Sequence, residues 1–243
     1  MQGTQKSGVV RSFTADELEE VFPANPIREV DFEIRFTPRL RIQAEMWRFQ
    51  ERIMTEYPDA GLESAILPNA ATLSVTVFQN QAKARLIKVS PQNMALAFSA
   101  YANFEEFKEE VLRRSGEFCE IFGVTSLTRV GLRYVNEIPL PTQEAESMSK
   151  YVRPLVAFER IPLETVQQFA LQISATAHDH MVLLRTAMIA GPIRTYILDI
   201  DAYTELVKPA SEINSLLDQF HETAQRVFLD HVTTEYKQIM RAK

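Results

Sequence analysis

Asp199 and Asp201, in the stretch Leu198-Asp199-Ile200-Asp201, come closest in type and spacing to a reactive constellation. Residues two apart on a strand share a face. Their carboxylates can therefore converge on a hard divalent cation such as Mg²⁺, which takes oxygen ligands. Glu137 is the best third ligand the sequence offers. The plainer reading is favoured: the carboxylates lie on a solvated face, or Asp201 caps the turn into Ala202-Tyr203. Tyr134 and Asn136, in Arg133-Tyr134-Val135-Asn136, form the second candidate. On a strand they share a face with Val130 and Leu132, while Arg129 and Arg133 occupy the other. A buried Asn136 needs hydrogen-bond partners. The pair either lines the mouth of a binding cavity or, the favoured alternative, packs in the core and fixes the turn before Pro139.

The histidines carry less. His178-Asp179-His180 lacks a third zinc ligand and reads as an exposed turn. On one straight helix His221 and His231 would stand about 80° apart in angle and about 15 Å apart in rise, too far to share a ligand. His221 is expected at the core edge, bonded to a backbone or carboxylate group. The single cysteine, Cys119, excludes an intramolecular disulfide and reads as a small buried hydrophobe. There is no Gly-x-Ser-x-Gly, no P-loop and no Gly-x-Gly-x-x-Gly, and the chain has only seven glycines. No cofactor is called for.

These residues must be positioned by elements, and the periodicity outlines them. Thr14-Ala15-Asp16-Glu17 is a capping box and predicts a helix over 15–21. Alternation from Ile27 to Phe36 predicts a strand with Val30, Phe32, Ile34 and Phe36 inward. Ile42, Met46, Phe49 and Ile53 predict one helix of about four turns ending at Tyr57-Pro58. Strands follow near 62–67, 72–79, 83–90 and 93–99, then a helix over 104–122 capped by Asn103. The second half reads as a strand at 127–138, a short helix at 142–153, and strands near 164–175, 179–190 and 193–201. A last helix starts at Pro209 and Ser211, and β-branched residues near 230–234 predict a break and restart, with the final helix reaching about 241.

The stretches 28–40 and 128–140 align, and each is followed by a helix, a run of strands and a closing helix. The expected fold is therefore α+β, mainly antiparallel sheets with packed helices, in two pseudo-repeated halves. The boundaries are a tail at 1–12, a first half at 13–123 and a second half at 124–243, with one shared core. If the halves pair, the acidic row Glu29, Asp31 and Glu33 faces the basic row Arg129 and Arg133 as cross-strand ion pairs.

Several motifs together resemble a family of uncharacterised prokaryotic proteins of sporadic distribution and similar length. They are Asn25-Pro26-Ile27 leading into Phe32-Glu33-Ile34-Arg35-Phe36, Tyr57-Pro58, Arg133-Tyr134-Val135-Asn136, Leu198-Asp199-Ile200-Asp201, and a closing helix with His221 and Phe228. The resemblance spans about Pro26 to Met240 and implies no activity, cofactor or catalytic residue. A patchy distribution suits horizontally transferred genes, including those of mobile elements and phage defence.

Composition bounds the partners. The chain has 243 residues, 46% of them hydrophobic, with fifteen Phe against one Trp, which suits a Phe-rich core. The net charge of −6 weighs against broad nucleic-acid binding. The basic clusters at 39–41, 83–88 and 113–114 are interrupted by acids and lack stacking aromatics. No signal peptide or membrane span is read, so cytoplasmic residence is the default expectation. The leading functional expectation is a non-enzymatic binding or assembly protein. Its unidentified protein or small-molecule partner would use a groove between the halves near Tyr134, Asn136 and Asp199. The alternatives are a metal-assisted enzyme centred on Asp199 and Asp201, and a nucleic-acid-associated component of a defence or mobile-element system. A homodimer through the exposed face of the last helix is a further expectation, although no second apolar stripe marks it.

Overall fold

Alternating apolar residues build the sheet on which everything else is laid. A computed structural model describes residues 13–18, 20–66, 72–140, 147–153, 168–189 and 193–242. The elements begin with α1 (Ala15–Leu18), β1 (Ile27–Arg35), α2 (Arg41–Ala44), α3 (Met46–Ile53), β2 (Asp59–Ile66), β3 (Thr72–Gln79), β4 (Arg85–Val89), β5 (Asn93–Phe98) and α4 (Phe104–Phe122). They continue with β6 (Ser126–Leu127), β7 (Arg129–Pro139), α5 (Ser147–Tyr151), β8 (Phe169–Ala177), β9 (His180–Ile189), β10 (Thr195–Thr204), β11 (Lys208–Pro209), a 3-10 turn (Ala210–Glu212), α6 (Ile213–His231) and α7 (Thr234–Arg241). The fold is α+β. Among the described residues nine strands form one antiparallel sheet in the order β2-β3-β4-β5-β1-β7-β10-β9-β8, and β6 pairs with β11 alone.

β1 and β7 lie side by side at the centre in antiparallel register, with Phe32 opposite Leu132 and Asp31 opposite Arg133. The two aligned stretches are thus immediate neighbours, and residues 13–123 and 124–243 share one sheet. The strand count does not establish a duplication. Four strands, β2 to β5, follow β1, whereas among the described residues three, β8 to β10, follow β7 in the main sheet. The tail at 1–12, the starts of the helix at 142–153 and of the strand at 164–175, and the turn at 191–192 lie outside the described residues.

One sheet face is apolar and carries the helices. Val30, Phe32 and Ile34 of β1, Val130 and Leu132 of β7, and Leu198, Ile200 and Ala202 of β10 are each 0% exposed. Each fully buried large aliphatic or Phe side chain contributes about 1.5–3 kcal/mol. The abundant phenylalanines gather here: Phe118 lies 5.6 Å from Phe49, edge to face, and 4.9 Å from Phe122. The sheet's other face is polar, as a one-sided antiparallel sheet permits.

Caps set the helix ends as the sequence predicts. Thr14 Oγ1 accepts from the Glu17 N–H, and Glu17 returns a carboxylate oxygen to the Thr14 N–H. Asn103 Oδ1 accepts from the Glu106 N–H at 2.9 Å. Gly123 closes α4 at φ 65°, and Arg39 and Arg41 donate to the Phe122 carbonyl there. The first basic cluster therefore complements the negative end of the α4 dipole. The break after His231 is present: Val232 is extended, and Thr233 Oγ1 accepts from the Tyr236 N–H to cap α7.

Two expectations need correction. The four-turn helix after Pro38 is two helices, because Glu45 leaves helical geometry at φ −105° and ψ 12°. The first helix, described over Ala15–Leu18, does not reach 21, since residues 20–22 are not helical, and the chain turns toward β1 through Pro23 and Pro26.

Between α3 and α4 lies a buried charge cluster. Arg114 is 1% exposed; its Nε donates to Glu110 at 2.8 Å and its Nη1 to Glu117 at 2.8 Å, and its Nη2 lies 2.6 Å from Glu56. Tyr57 donates its hydroxyl to Glu110 at 2.8 Å. Burial raises the Glu110 carboxyl, but the hydrogen bonds from Arg113, Arg114 and Tyr57 together outweigh it and hold it below the ordinary carboxylate range. Replacing Arg114 by Met leaves this buried carboxylate with Arg113 and Tyr57 alone, and urea unfolding at pH 7 should show a loss of about 3 kcal/mol. Because the folded-state value is depressed, the stabilisation is present above the ordinary carboxylate range and is lost as pH falls through the folded value. Glu110→Gln should accordingly flatten the acid limb of the stability curve.

Candidate functional site

Strand parity separates the candidate residues onto opposite faces. In β7, Tyr134 stands opposite Val30 and Ile200, and Asn136 opposite Leu198, all on the helix-covered face. Asp199 pairs with Val135 and Asp201 with Arg133, on the open face. A single groove near Tyr134, Asn136 and Asp199 therefore does not exist. The sheet itself stands between Asp199 and the other two.

On the open face the carboxylates are held by guanidinium groups. Arg133 grips Asp199 with two bonds, Nε to Oδ1 at 2.8 Å and Nη2 to Oδ2 at 2.9 Å, and reaches Asp31 at 3.3 Å. Arg185 adds a bond to Asp199 at 3.2 Å. Arg129 bridges Glu33 at 3.2 Å and Asp201 at 2.9 Å, with its guanidinium 4.7 Å from the centre of the Tyr203 ring. Gly131 makes that bridge possible, since a Cβ there would sit 2.8 Å from Arg129 Nη1. The expected cross-strand ion pairs between the acidic row of β1 and the basic row of β7 are present. The less favoured reading of Asp199, Asp201 and Glu137 as a metal site finds no support in the geometry. Asp199 and Asp201 spend their oxygens on arginines, Glu137 faces Arg28 at 3.3 Å, and among the described residues no group of three His, Cys, Asp or Glu side chains is placed to hold a metal.

The helix-covered face holds a cavity of about 910 Å³. Its floor is β7, one wall is α6, and residues 101–105, Leu18 and residues 20–27 close the sides. That segment is fastened at several points. The Glu137 N–H donates to the Pro26 carbonyl at 2.8 Å, the Ala24 N–H to the Met240 carbonyl at 3.1 Å, and Arg241 to Glu20 at 2.5 Å. Tyr134 and Asn136 both line the cavity. Asn136 is anchored by its Nδ2, which donates to the Leu198 carbonyl at 3.0 Å.

Tyr134 lies between two partners. Its hydroxyl is 2.8 Å from His221 Nδ1 on α6 and hydrogen-bonds Tyr101, whose ring meets it edge to face at 5.9 Å. With one proton for two bonds, that hydroxyl donates one and accepts the other. Burial pushes the Tyr134 hydroxyl well above its ordinary value and pushes the His221 imidazole down to about 4. The Phe104 ring stacks on His221 at 3.7 Å, nearly parallel. His221 is thus a cavity residue bonded to a phenol, where a backbone or carboxylate partner was expected. The Phe220-His221 dipeptide gives no hint of this, and neither does Tyr101, which precedes the cap of α4.

No protein-family model matches the chain. No curated protein matches it either.

The remaining candidates resolve individually. His178 takes φ 55° in the tight turn between β8 and β9, as expected of a turn residue. His180 departs from that reading: it is 5% exposed and bonds Thr223 of α6 at 3.0 Å. His231 bonds the Val227 carbonyl at 2.7 Å. Cys119 is half-buried, and burial raises its thiol to about 11, away from a reactive thiolate. In the basic clusters Arg85 pairs with Glu106, Lys88 with Glu63 at 2.8 Å, and Arg113 with Glu56 at 2.5 Å.

Asp31 distinguishes an ion pair in geometry from one in energy. Its burial, a hydrogen bond with Glu29 and the Glu29 charge push it up to about 7, and Arg133, committed to Asp199, opposes this only in part. A raised carboxyl value means the folded state holds a proton that the unfolded state releases. Stability is then full below the ordinary value of 3.8 and declines as pH rises toward about 7. Asp31→Asn, although it removes a salt-bridge partner, should raise stability at pH 8 by about 1–3 kcal/mol and leave it nearly unchanged at pH 4. Urea titrations at the two pH values check the sign.

Proposed function

We propose that the protein is a non-catalytic binding protein that takes a small molecule in the cavity between β7, α6, residues 101–105 and residues 20–27. The observation that carries this reading is the cavity's make-up. About 910 Å³ falls in the range typical of small-molecule sites, with a mostly apolar and aromatic wall and a few convergent polar groups. Phe22, Phe104 and Phe228 supply apolar surface, and Tyr134, Asn136 and His221 supply hydrogen bonds. The lining is drawn from both 13–123 and 124–243.

The titration of these groups supports binding over proton-transfer chemistry. A general acid or base works best with a value near the operating pH. His221 at about 4 and Tyr134 well above 10 lie on either side of neutrality, so at pH 7 both are neutral hydrogen-bonding groups.

Native mass spectrometry of the protein from its own host, compared with the denatured mass, tests the reading. The expected result is a mass excess released on denaturation, with lower occupancy in Tyr134→Phe. That variant loses one hydroxyl and should cost only about 0.5–1.5 kcal/mol of stability. A bare chain mass, together with no thermal stabilisation by any member of a metabolite library, would overturn it. A ligand at about a hundred times its Kd adds roughly 2.7 kcal/mol and is readily seen.

A further inference from the structure

The charged residues that line the cavity, among those described, are of one sign. Its charged lining residues among those described are Glu20, Glu105, Asp218 and Glu222, and no Lys or Arg lines it. His221, neutral at pH 7, adds no positive charge. Three of the four acids are paired with cations outside the lining: Glu20 with Arg241 at 2.5 Å, Asp218 with Lys108 at 2.6 Å, and Glu222 with Arg226 at 2.6 Å. Glu105 has no ion pair among the described residues, and its charge helps to raise the Tyr101 hydroxyl beside it.

The rings nearby already attract cations. Arg241 lies 5.8 Å from the centre of the Phe22 ring, and Lys108 lies 5.8 Å from that of Phe104. A positive charge over an aromatic face is attracted by the ring's electrons, more strongly as water is excluded. A phosphate or carboxylate ligand would find no Lys or Arg in the described lining, and the nearest cations, Arg241 and Lys108, are already paired with Glu20 and Asp218.

We infer that the cavity takes a protonated organic amine with an aromatic or branched apolar body. The ammonium sits at the rim between Glu105 and Tyr101, and the body lies between Phe22 and Phe228. This rests on the reading of the cavity as a ligand site and adds the ligand's chemical class.

Three probes with a common benzyl body separate the charge from the shape: phenethylamine, 2-phenylethanol and phenylacetate, titrated by calorimetry at pH 7.5 into the full chain. Phenethylamine should bind at least about tenfold more tightly than phenylacetate. Glu105→Gln should reduce that preference by at least about threefold while leaving 2-phenylethanol unchanged. Glu105 is exposed in the first turn of α4, so the variant gives up only a weak interaction with the helix dipole. Phenylacetate binding as tightly as phenethylamine, or a preference indifferent to Glu105→Gln, overturns the amine assignment and leaves the cavity reading standing. Failure of all three probes to bind also overturns the amine assignment, and the mass measurement decides the cavity reading separately.

Discussion

The antiparallel pairing of β1 with β7 is the constraint on which the rest of the molecule depends. It fixes register, with Phe32 against Leu132 and Asp31 against Arg133. Because side chains alternate, register also fixes which residues meet helices and which meet guanidinium groups. A slip of one residue would put Arg133 against the phenylalanine core and Tyr134 on the open face. Buried apolar residues on one side and complementary charges on the other therefore specify the same alignment. The ion pairs add modest energy, and their larger effect is to make the wrong register costly.

Much of this was legible in the sequence. The alternation over Ile27–Phe36, the Thr14 and Asn103 caps, the break near Val232 and the facing acidic and basic rows follow from period, cap chemistry and charge sign. What was not legible depends on distance in space. Leu198, Asp199 and Ile200 are all buried, so β10 lacks a clean alternation, and the face of Asp199 could not be assigned without its register against β7. Asp199 is hidden by Arg133 and Arg185, which lie 66 and 14 residues away along the chain. The break at Glu45 interrupts an apolar spacing that would suit one continuous helix.

The cavity was half legible for the same reason. Tyr134 and Asn136 stand out as polar groups ending an apolar strand. Their companions, His221, Tyr101 and Glu105, reach the cavity from a distant helix, a connecting segment and a first helical turn. No local pattern marks any of the three. Lys108 and Asp218 help to bring them together by tying α4 to α6 at 2.6 Å. The cavity's shape thus follows from helix docking on the sheet, and its floor from the strand parity.

The central pair also bears on how the chain is made. Asp31 and Arg133 are 102 positions apart, so during synthesis one edge of β1 waits until β7 has emerged. An unpaired strand edge is a template for wrong partners in a crowded ribosomal neighbourhood, and charge on it is a common safeguard. Glu29, Asp31 and Glu33 supply that charge in the nascent chain. Like charges on that edge repel a second copy's β1, so the row that later meets arginines opposes pairing between chains whose second half has yet to arrive.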